Sequence, residues 1–367
     1  MQRAKDVTKI SLVGIVLNLV LVLFKAFVGF VSGSISILSD AVNNLSDSIS
    51  SIVTIVGVLL ANKKPDKEHP YGHGKFEYVS TLIIAVIIFG TGASLLLKSV
   101  KKIISPEVSK FNVPMLIIIF AGILVKVFLA TYFSRRGKKL KSDSLIASGK
   151  DALFDVIISS GTLIGALVTF CFGTTIDGFV GVLVSALVVK SAIEVSVNAI
   201  NNIVGTRPDS MLSGNIKNAI LNEREVLGVY DLILHHYGPQ KIIGSVHIEV
   251  PDNMTAHEIH LITQKISRQI FDCFNVVLTI GIYAANIKDA EHAKIKSYIK
   301  NLIEKYPTIL QMHGFYVDTE KKNISIDLVF DFGEKNVEHV IFEIEKAVNK
   351  KYPKYHIDIV EDRDYSD

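Results

Sequence analysis

The sequence predicts an α-helical membrane domain with six transmembrane helices, followed by a soluble α+β domain. Three observations lead to this fold class. The 367 residues are 49% hydrophobic, with a mean hydropathy of +0.39, which is too apolar for an ordinary soluble domain. Six apolar segments reach the roughly 20 residues that a bilayer-spanning helix needs. After Pro208, charged residues become frequent and the apolar runs shorten to the length of strands.

The six predicted spans follow one another with short connections. They cover residues 10–31, 36–61, 78–98, 112–133, 146–172 and 176–204. Lys and Arg are concentrated in the N-terminal segment and in the loops after the second and fourth spans, whereas the opposite side holds them in one loop only. Because cytoplasmic loops carry the excess of Lys and Arg, we predict a multi-pass cell-membrane protein with both termini and the soluble domain in the cytoplasm.

The soluble part repeats its own pattern. From about 210 to 286 the sequence predicts helix, strand, strand, helix and strand, and the same order follows from about 288 to 362. The predicted strands are GVYDLILHHY, KIIGSVHIEV and NVVLTIGIYA, then LQMHGFYVD, NISIDLVFDF and YHIDIVED. This order is typical of a split βαβ, or ferredoxin-like, unit. The predicted domains are a membrane domain over 1–207, a ferredoxin-like domain over 208–287 and a second ferredoxin-like unit over 288–367.

Polar side chains interrupt two of the predicted spans. In SILSDAVNNLSDSISSIVTI, Asp40, Asn43 and Asp47 share one helix face, because they are spaced at i, i+3 and i+7. The fifth span has the same feature, with Asp151 and Asp155 at i and i+4. An ionised carboxylate at membrane depth costs several kcal/mol. Such residues therefore face a cavity, pair with a cation or bind a metal.

Two interpretations of these polar faces remain open. In the first, membrane lysines such as Lys25 and Lys126 form ion pairs with the carboxylates. In the second, which better explains why two helices carry such faces, the two helices hold a cation between them. The candidate ligands are Asn43, Asp47, Asp151 and Asp155.

The donor atoms of this set indicate the kind of cation. One amide and three carboxylates offer only oxygen, which suits Mg, Ca or Mn, whereas imidazole suits Zn. Mn²⁺ lies at the weak end of the Irving–Williams order, so a site for it must withhold the ligands that Zn²⁺ prefers. Without a metal, three carboxylates would hold three negative charges in a medium of low dielectric. Protonation relieves this repulsion, so we expect metal binding to release protons, and metal–proton exchange becomes feasible.

Three stretches of the sequence, in order, are similar to those of one known family. GSISILSDAVNNLSDSISS, HPYGHGKFE and DALFD together resemble the cation diffusion facilitator family over about residues 8–286. The resemblance implies a homodimeric, six-helix exporter of divalent metals with a cytoplasmic ferredoxin-like tail, and not an enzyme. It also implies a membrane site with two ligands from the second helix and two from the fifth. These positions match Asn43, Asp47, Asp151 and Asp155 here.

The identity of the four ligands refines what the resemblance implies. Zinc exporters of the family usually have His at one or two of these positions, so this set resembles the manganese-exporting branch. We expect Asp40 near the mouth of the site. A register that used Asp40 and Asn44 instead would leave the ligand chemistry almost unchanged. The expected partners are a second copy of the chain, the lipid bilayer and protons as counter-ion, with no nucleic acid and no cofactor beyond the transported cation.

The loop PDKEHPYGHGKFE carries a second candidate metal site. Asp66, His69 and His73 have metal-ligand spacing, and the matching loop of the resembled family can hold a second metal at the cytoplasmic face. The alternative is a structural turn whose histidines cap a helix or hold a dimer. Gly72 and Gly74 let the chain turn tightly beside His73.

The tail departs from the resembled family in its histidines. His247 and His260 match two positions that often bind metal there, and they form a third candidate site. Gly281 and Tyr283 stand where a His and an Asp often occur, so a complete binuclear site is not expected. His313 falls in the second unit where Tyr230 falls in the first, and it is either a replacement ligand or a coincidence.

Other function classes fit the sequence less well. An intramembrane aspartyl protease would use two membrane aspartates, but the Gly-x-Gly-Asp motif typical of that class is absent from the sequence. In a membrane metal sensor, which binds metal without transporting it, the tail would perform the function. Within the exporter class, Zn²⁺, Fe²⁺ or Co²⁺ are alternative cargoes. The two cysteines, Cys171 and Cys273, are too far apart in sequence to predict a disulfide framework or a zinc motif.

Overall fold

Long helices make up the first part of the chain. A computed structural model describes residues 2–32, 35–105, 113–172, 177–239, 241–286 and 290–366. The helices before residue 205 are α1 (Gln2–Ser32), α2 (Ile35–Ala61), α3 (Phe76–Ile104), α4 (Val113–Leu140), α5 (Asp143–Phe172) and α6 (Asp177–Val204). Three of them are clearly longer than the predicted spans, because polar residues continue the helix: α1 begins at Gln2 and not at residue 10, α3 ends at Ile104 and not at 98, and α4 ends at Leu140 and not at 133.

Within the described parts of these helices, four stretches are long and apolar enough to cross a membrane. They are Arg3–Phe27, Phe76–Ile104, Leu116–Leu140 and Gly178–Val204. Their outer faces carry large exposed apolar side chains, such as Leu23 and Phe27, each 70% exposed, and Leu97 at 74%. Water would penalise a surface of this kind, whereas lipid would not. In α2, the described apolar stretch is the shorter Ser48–Ala61.

Helix pairs and one ion pair hold this first part together. The closest packing joins α1 with α2, α3 with α6 and α4 with α5. The guanidinium of Arg3 binds both carboxylate oxygens of Glu77 at 2.8 Å and also donates to the carbonyls of Leu140 and Lys141. Glu77 is fully buried, so this bidentate pair satisfies a charge that would otherwise be costly in that place. It ties the starts of α1 and α3 to the end of α4.

The second part of the chain alternates short helices and strands. In order, the elements are α7 (Ser210–Leu221), β1 (Gly228–His236), β2 (Ile242–Pro251), α8 (Ala256–Phe274), β3 (Val276–Ala285), α9 (Ala290–Ile303), β4 (Ile309–Asp318), β5 (Asn323–Phe330), α10 (Val337–Lys351) and β6 (His356–Arg363). Each strand lies within one or two residues of its predicted counterpart. Thr255 and Glu258 form a capping box at the start of α8, and Asn275 ends it in the left-handed conformation.

The six strands form two sheets with the same topology. One has the order β1-β2-β3 and the other β4-β5-β6; in each, the first pair is antiparallel and the second parallel. Each sheet packs one face on its own helices around its own apolar core. The register shifts after Tyr230 in β1 and after His313 in β4. The next residue is left-handed in both cases, with φ of 52° at Asp231 and 61° at Gly314, as expected of a β-bulge.

Internal contacts divide the chain into two units. The first comprises Met1–Thr206 with Tyr237–Gln240, and the second comprises Arg207–His236 with Lys241–Asp367. Both sheets belong to the second unit. The boundary predicted at residue 287 lies outside the described residues.

Candidate functional site

Polar contacts join α2 to α5 along the face that the sequence singled out. Ser50 Oγ donates to Oδ2 of Asp151 over 2.7 Å, and the hydroxyls of Thr54 and Ser148 lie 3.0 Å apart. Ser50 and Thr54 lie one and two turns beyond position 47 of α2, on the same face. The carboxylate of Asp151 therefore lies against the predicted polar face of α2. The side chains of Asp40, Asn43 and Asp47 lie outside the described part of the chain.

Asp155 forms an ion pair with a lysine of α4. The Nζ atom of Lys126 lies 2.7 Å from Oδ2 of Asp155, and the two side chains are 6% and 21% exposed. This is the kind of ion pair that the first interpretation of the polar faces predicted. It places a positive charge beside one of the four candidate ligands. Any cation site that includes Asp155 would therefore include this ammonium as well.

A second buried polar face of α2 lies towards α1. Asn44, Ser48 and Ser51 are each at most 6% exposed. A Cβ placed on Gly14 of α1 would lie 2.9 Å from Oγ of Ser51, so this face packs closely on α1. Asn44 lies two turns before Ser51 on that face. The described contacts of α2 with α5 come instead from the face of Ser50 and Thr54.

The structure brings together the three loop residues named from the sequence. Asp66 lies 3.3 Å from Nδ1 of His69 and 3.4 Å from Nε2 of His73. Their ligand atoms all lie within 4.8 Å of one another. Gly72 allows the turn, since its φ of 92° is a conformation that L-residues rarely adopt. The hydrogen bond from Lys63 holds the pKa of Asp66 well below its ordinary value, and the backbone N–H of His69 adds to this effect.

The two histidines predicted in the tail lie in different surroundings. His247 on β2 places Nδ1 2.8 Å from Oδ2 of Asp231. His260 is exposed on α8 and lines a surface pocket together with Arg268 and Phe271. Among the described residues, the groups with metal-ligand geometry do not include His260.

Asp231 belongs to a cluster that the sequence analysis missed. Asp231, His313 and Asp327 place their ligand atoms within 4.8 Å of one another, and Asp362 lies beside them. Burial raises the pKa of Asp362 to about 6, and a hydrogen bond with Asp231 adds to the rise. Burial alone would raise the pKa of Asp231, but its contacts with His247 and His313 outweigh burial and lower it. The one signal in the sequence was the matching position of His313 and Tyr230.

Comparisons with known proteins cover both parts of the chain. Residues 11–204 match the family model of the cation efflux transmembrane domain, and residues 208–282 match that of the cation efflux protein's cytoplasmic domain. An uncharacterized transporter of Methanocaldococcus jannaschii is 34% identical over 276 residues, which are 74% of this chain and 96% of the relative. The manganese efflux system protein MneP of Bacillus subtilis is 24% identical, over 77% of this chain and 98% of its own. The cation-efflux pump FieF of Cronobacter sakazakii is 24% identical, over 73% and 89%.

Proposed function

The chain belongs to the cation efflux family and is a divalent metal cation efflux transporter rather than an enzyme, and we propose that its cargo is Mn²⁺ and its counter-ion the proton. The observation that carries the proposal is the donor set. The four proposed ligands, Asn43, Asp47, Asp151 and Asp155, offer oxygen alone, and oxygen sets suit Mn²⁺ better than Zn²⁺. Two relatives from Bacillus subtilis are named as manganese efflux system proteins.

The register of α2 and α5 supports a single site made by both helices. Thr54 contacts Ser148, and Ser50 contacts Asp151, so the two helices run antiparallel along this face. One turn further along α2, the same register pairs position 47 with position 155. Position 47 would then lie level with Asp155 and about one turn from Asp151, so that both helices contribute to the proposed site.

Lys126 changes the charge balance of the proposed site. Three carboxylates and one ammonium have a net charge of −2, which a single divalent cation neutralises. Neutrality matters because the Coulomb energy of a residual charge is large in a medium of low dielectric. Because Lys126 already balances Asp155, Asp47 and Asp151 remain as the proposed carriers of the protons that exchange for the metal. Proton–metal exchange at this site would need no further charged group.

The architecture that we propose for the transporter has six spans and a cytoplasmic tail. The helices α1 to α6 each contain 27 to 31 residues, which is long enough to cross a bilayer. The excess of Lys and Arg on one side supports cytoplasmic termini in the cell membrane. The identical topology of the two sheets supports a tail of two ferredoxin-like units, 208–287 and 288–367, after a membrane domain over 1–207. The match of 208–282 to the family's cytoplasmic domain supports a homodimer.

Transport in proteoliposomes tests the proposal. With Mn²⁺ and Zn²⁺ offered in competition outside, we expect wild-type protein to take up Mn²⁺ preferentially while the internal pH rises. Asp47→Ala should abolish uptake. The matched control is Glu194→Gln, since this carboxylate is 55% exposed and pairs only loosely with Lys190. A preference for Zn²⁺ would overturn the choice of cargo, a constant internal pH would overturn proton coupling, and no uptake by folded wild type would favour a sensor.

We also propose that Asp66, His69 and His73 bind a second cation. The side chain of His73 is 5% exposed, and its Nδ1 atom has no hydrogen-bond partner among the described residues. Lys63 occupies the carboxylate of Asp66 at 2.9 Å, as a cation would. A mixed imidazole and carboxylate set suits Zn²⁺ as well as Mn²⁺.

Variants of the loop should change metal binding in opposite directions. His73→Asn should remove one bound Zn²⁺ per chain in equilibrium dialysis of the detergent-solubilised protein. Lys63→Met should strengthen binding about two- to fivefold, which is the size of an exposed ion pair that no longer competes. His235→Asn, on an exposed part of β1, serves as the histidine control. Equal Zn²⁺ content in His73→Asn and the control would reduce the loop to a structural turn.

A further inference from the structure

A buried group of side chains joins the two sheets of the tail. The sheet faces that do not pack on helices meet where Tyr230 stacks on His313, with ring centroids 4.9 Å apart. At the same place, the Tyr283 hydroxyl, which has one hydrogen to donate, lies 2.9 Å from Oδ2 of Asp231 and 2.5 Å from Oδ2 of Asp327. Tyr230, Asp231 and Tyr283 come from the first sheet, and the other two residues come from the second. The group is therefore complete only when both sheets are present.

Three carboxylates converge on one buried imidazole in this group. The Nε2 atom of His313 lies 2.8 Å from Oδ1 of Asp231, 3.5 Å from Oδ2 of Asp362 and 3.9 Å from Oδ2 of Asp327. The His313 side chain is 0% exposed, and the carboxylates are 12% to 21% exposed. Neither ring nitrogen of His313 has a hydrogen bond of ordinary geometry among the described residues.

Such a set of atoms needs a positive charge at its centre. Carboxylate oxygens are acceptors, and so is an imidazole nitrogen that carries no hydrogen, so the four groups repel one another unless a proton or a metal lies between them. A proton on His313 offsets one of the three carboxylates and a proton on His247 offsets Asp231 from its other side, but neither proton joins all four groups. A divalent cation offsets two of the negative charges, and all four groups can coordinate it. In proteins, buried charges are paired with an opposite charge or coordinate a metal.

The backbone directs these side chains to one point. The β-bulge at Asp231 turns its carboxylate towards His313 and His247, at the expense of a left-handed φ of 52°. The matching bulge in the second sheet has Gly314, and a Cβ there would lie 2.9 Å from Oδ2 of Asp327. At equivalent positions of the two bulges, Asp231 supplies one carboxylate to the cluster and Gly314 leaves room for the carboxylate of Asp327.

We propose that Asp231, His313, Asp327 and Asp362 bind one divalent transition-metal cation between the two sheets of the tail. The mixed nitrogen and oxygen donors suit Mn²⁺, Fe²⁺, Co²⁺ or Zn²⁺ rather than Mg²⁺ or Ca²⁺. Three of the four ligands lie after residue 282, where the match to the family's cytoplasmic domain ends. The site thus depends on the additional α+β unit as well as on Asp231 of the first sheet, and it is separate from the proposed transport site.

Metal content of the full-length protein tests this site. Chelator-stripped wild type in detergent is dialysed against Mn²⁺, and bound metal per chain is counted by elemental analysis. Asp327→Asn, which keeps the volume of the side chain, should bind one Mn²⁺ fewer per chain, and so should His313→Gln. Asp358→Asn is the matched control, because this carboxylate of β6 is 54% exposed. Wild-type metal content and affinity in both Asp327→Asn and His313→Gln would overturn the proposal.

A spectroscopic measurement identifies the ligand directly. In a His69→Asn/His73→Asn background, which removes the imidazoles of the loop, we expect pulsed electron paramagnetic resonance of the Mn²⁺-loaded protein to show nitrogen coupling. That coupling should disappear when His313→Gln is added, and it should remain when His356→Asn is added instead. Absence of nitrogen coupling in the background variant would overturn the site. Neither experiment requires transport, so failure here leaves the uptake assay, and the proposed function, to be judged separately.

Discussion

Replacing Asp155 with asparagine should reduce Mn²⁺ transport at least about 100-fold, since even outer-shell partners of metal ligands contribute about 10- to 100-fold. The same change should destabilise the fold, because it removes the carboxylate that balances Lys126 at 2.7 Å. Loss of one partner of a buried ion pair costs about 3–5 kcal/mol. Uptake into proteoliposomes and the thermal unfolding midpoint in detergent measure the two effects on the same preparation.

A double variant separates the two roles of Asp155. In Lys126→Met/Asp155→Met both charges are replaced by apolar side chains, a change that is often neutral or stabilising for a buried pair. We expect the unfolding midpoint to return to near the wild-type value while transport stays absent. Transport by the double variant would instead show that Asp155 serves only as the ion-pair partner of Lys126. That result would favour the first interpretation, in which membrane lysines pair with the carboxylates.

Replacing Asp151 with histidine should raise Zn²⁺ uptake relative to Mn²⁺ by at least about tenfold, because imidazole favours Zn²⁺ over Mn²⁺. The new ring would lie where Oδ2 of Asp151 now accepts a hydrogen bond from Ser50, and an imidazole nitrogen can accept the same bond. Competition between the two ions in proteoliposomes gives the ratio directly. Asn43→His should shift the ratio in the same direction.

The matched control for this change is Asp151→Asn. Asparagine keeps the shape and one oxygen donor but adds no imidazole, so uptake of both ions should fall while their ratio stays constant. An unchanged ratio in both histidine variants would contradict the assignment of the four ligands.

Helix periodicity made the polar face of α5 predictable. Asp151 and Asp155 were identified because residues at i and i+4 share a helix face, and the structure adds that Ser50 and Lys126 contact them. Lys126 was named only as an alternative partner, because a sequence gives no distance between α4 and α5. The loop residues Asp66, His69 and His73 were predictable for a similar reason, since their proximity depends on a short turn.

The tail cluster could not be predicted in the same way. Its residues come from β1, β4, β5 and β6, so their proximity depends on how two sheets pack rather than on spacing along the chain. The bulge at Asp231 also breaks the period of two that strand predictions assume. The strands themselves were predictable to within one or two residues, because their apolar alternation is local.

The two sheets of the tail are parts of one polypeptide, and only residues 286–289 separate β3 from α9. A short tether gives its two ends an effective concentration in the millimolar range. Association of the sheets is therefore a unimolecular step, insensitive to dilution and to the level of expression. Their pairing, and any cation held between them, should persist at protein concentrations at which two separate chains would dissociate.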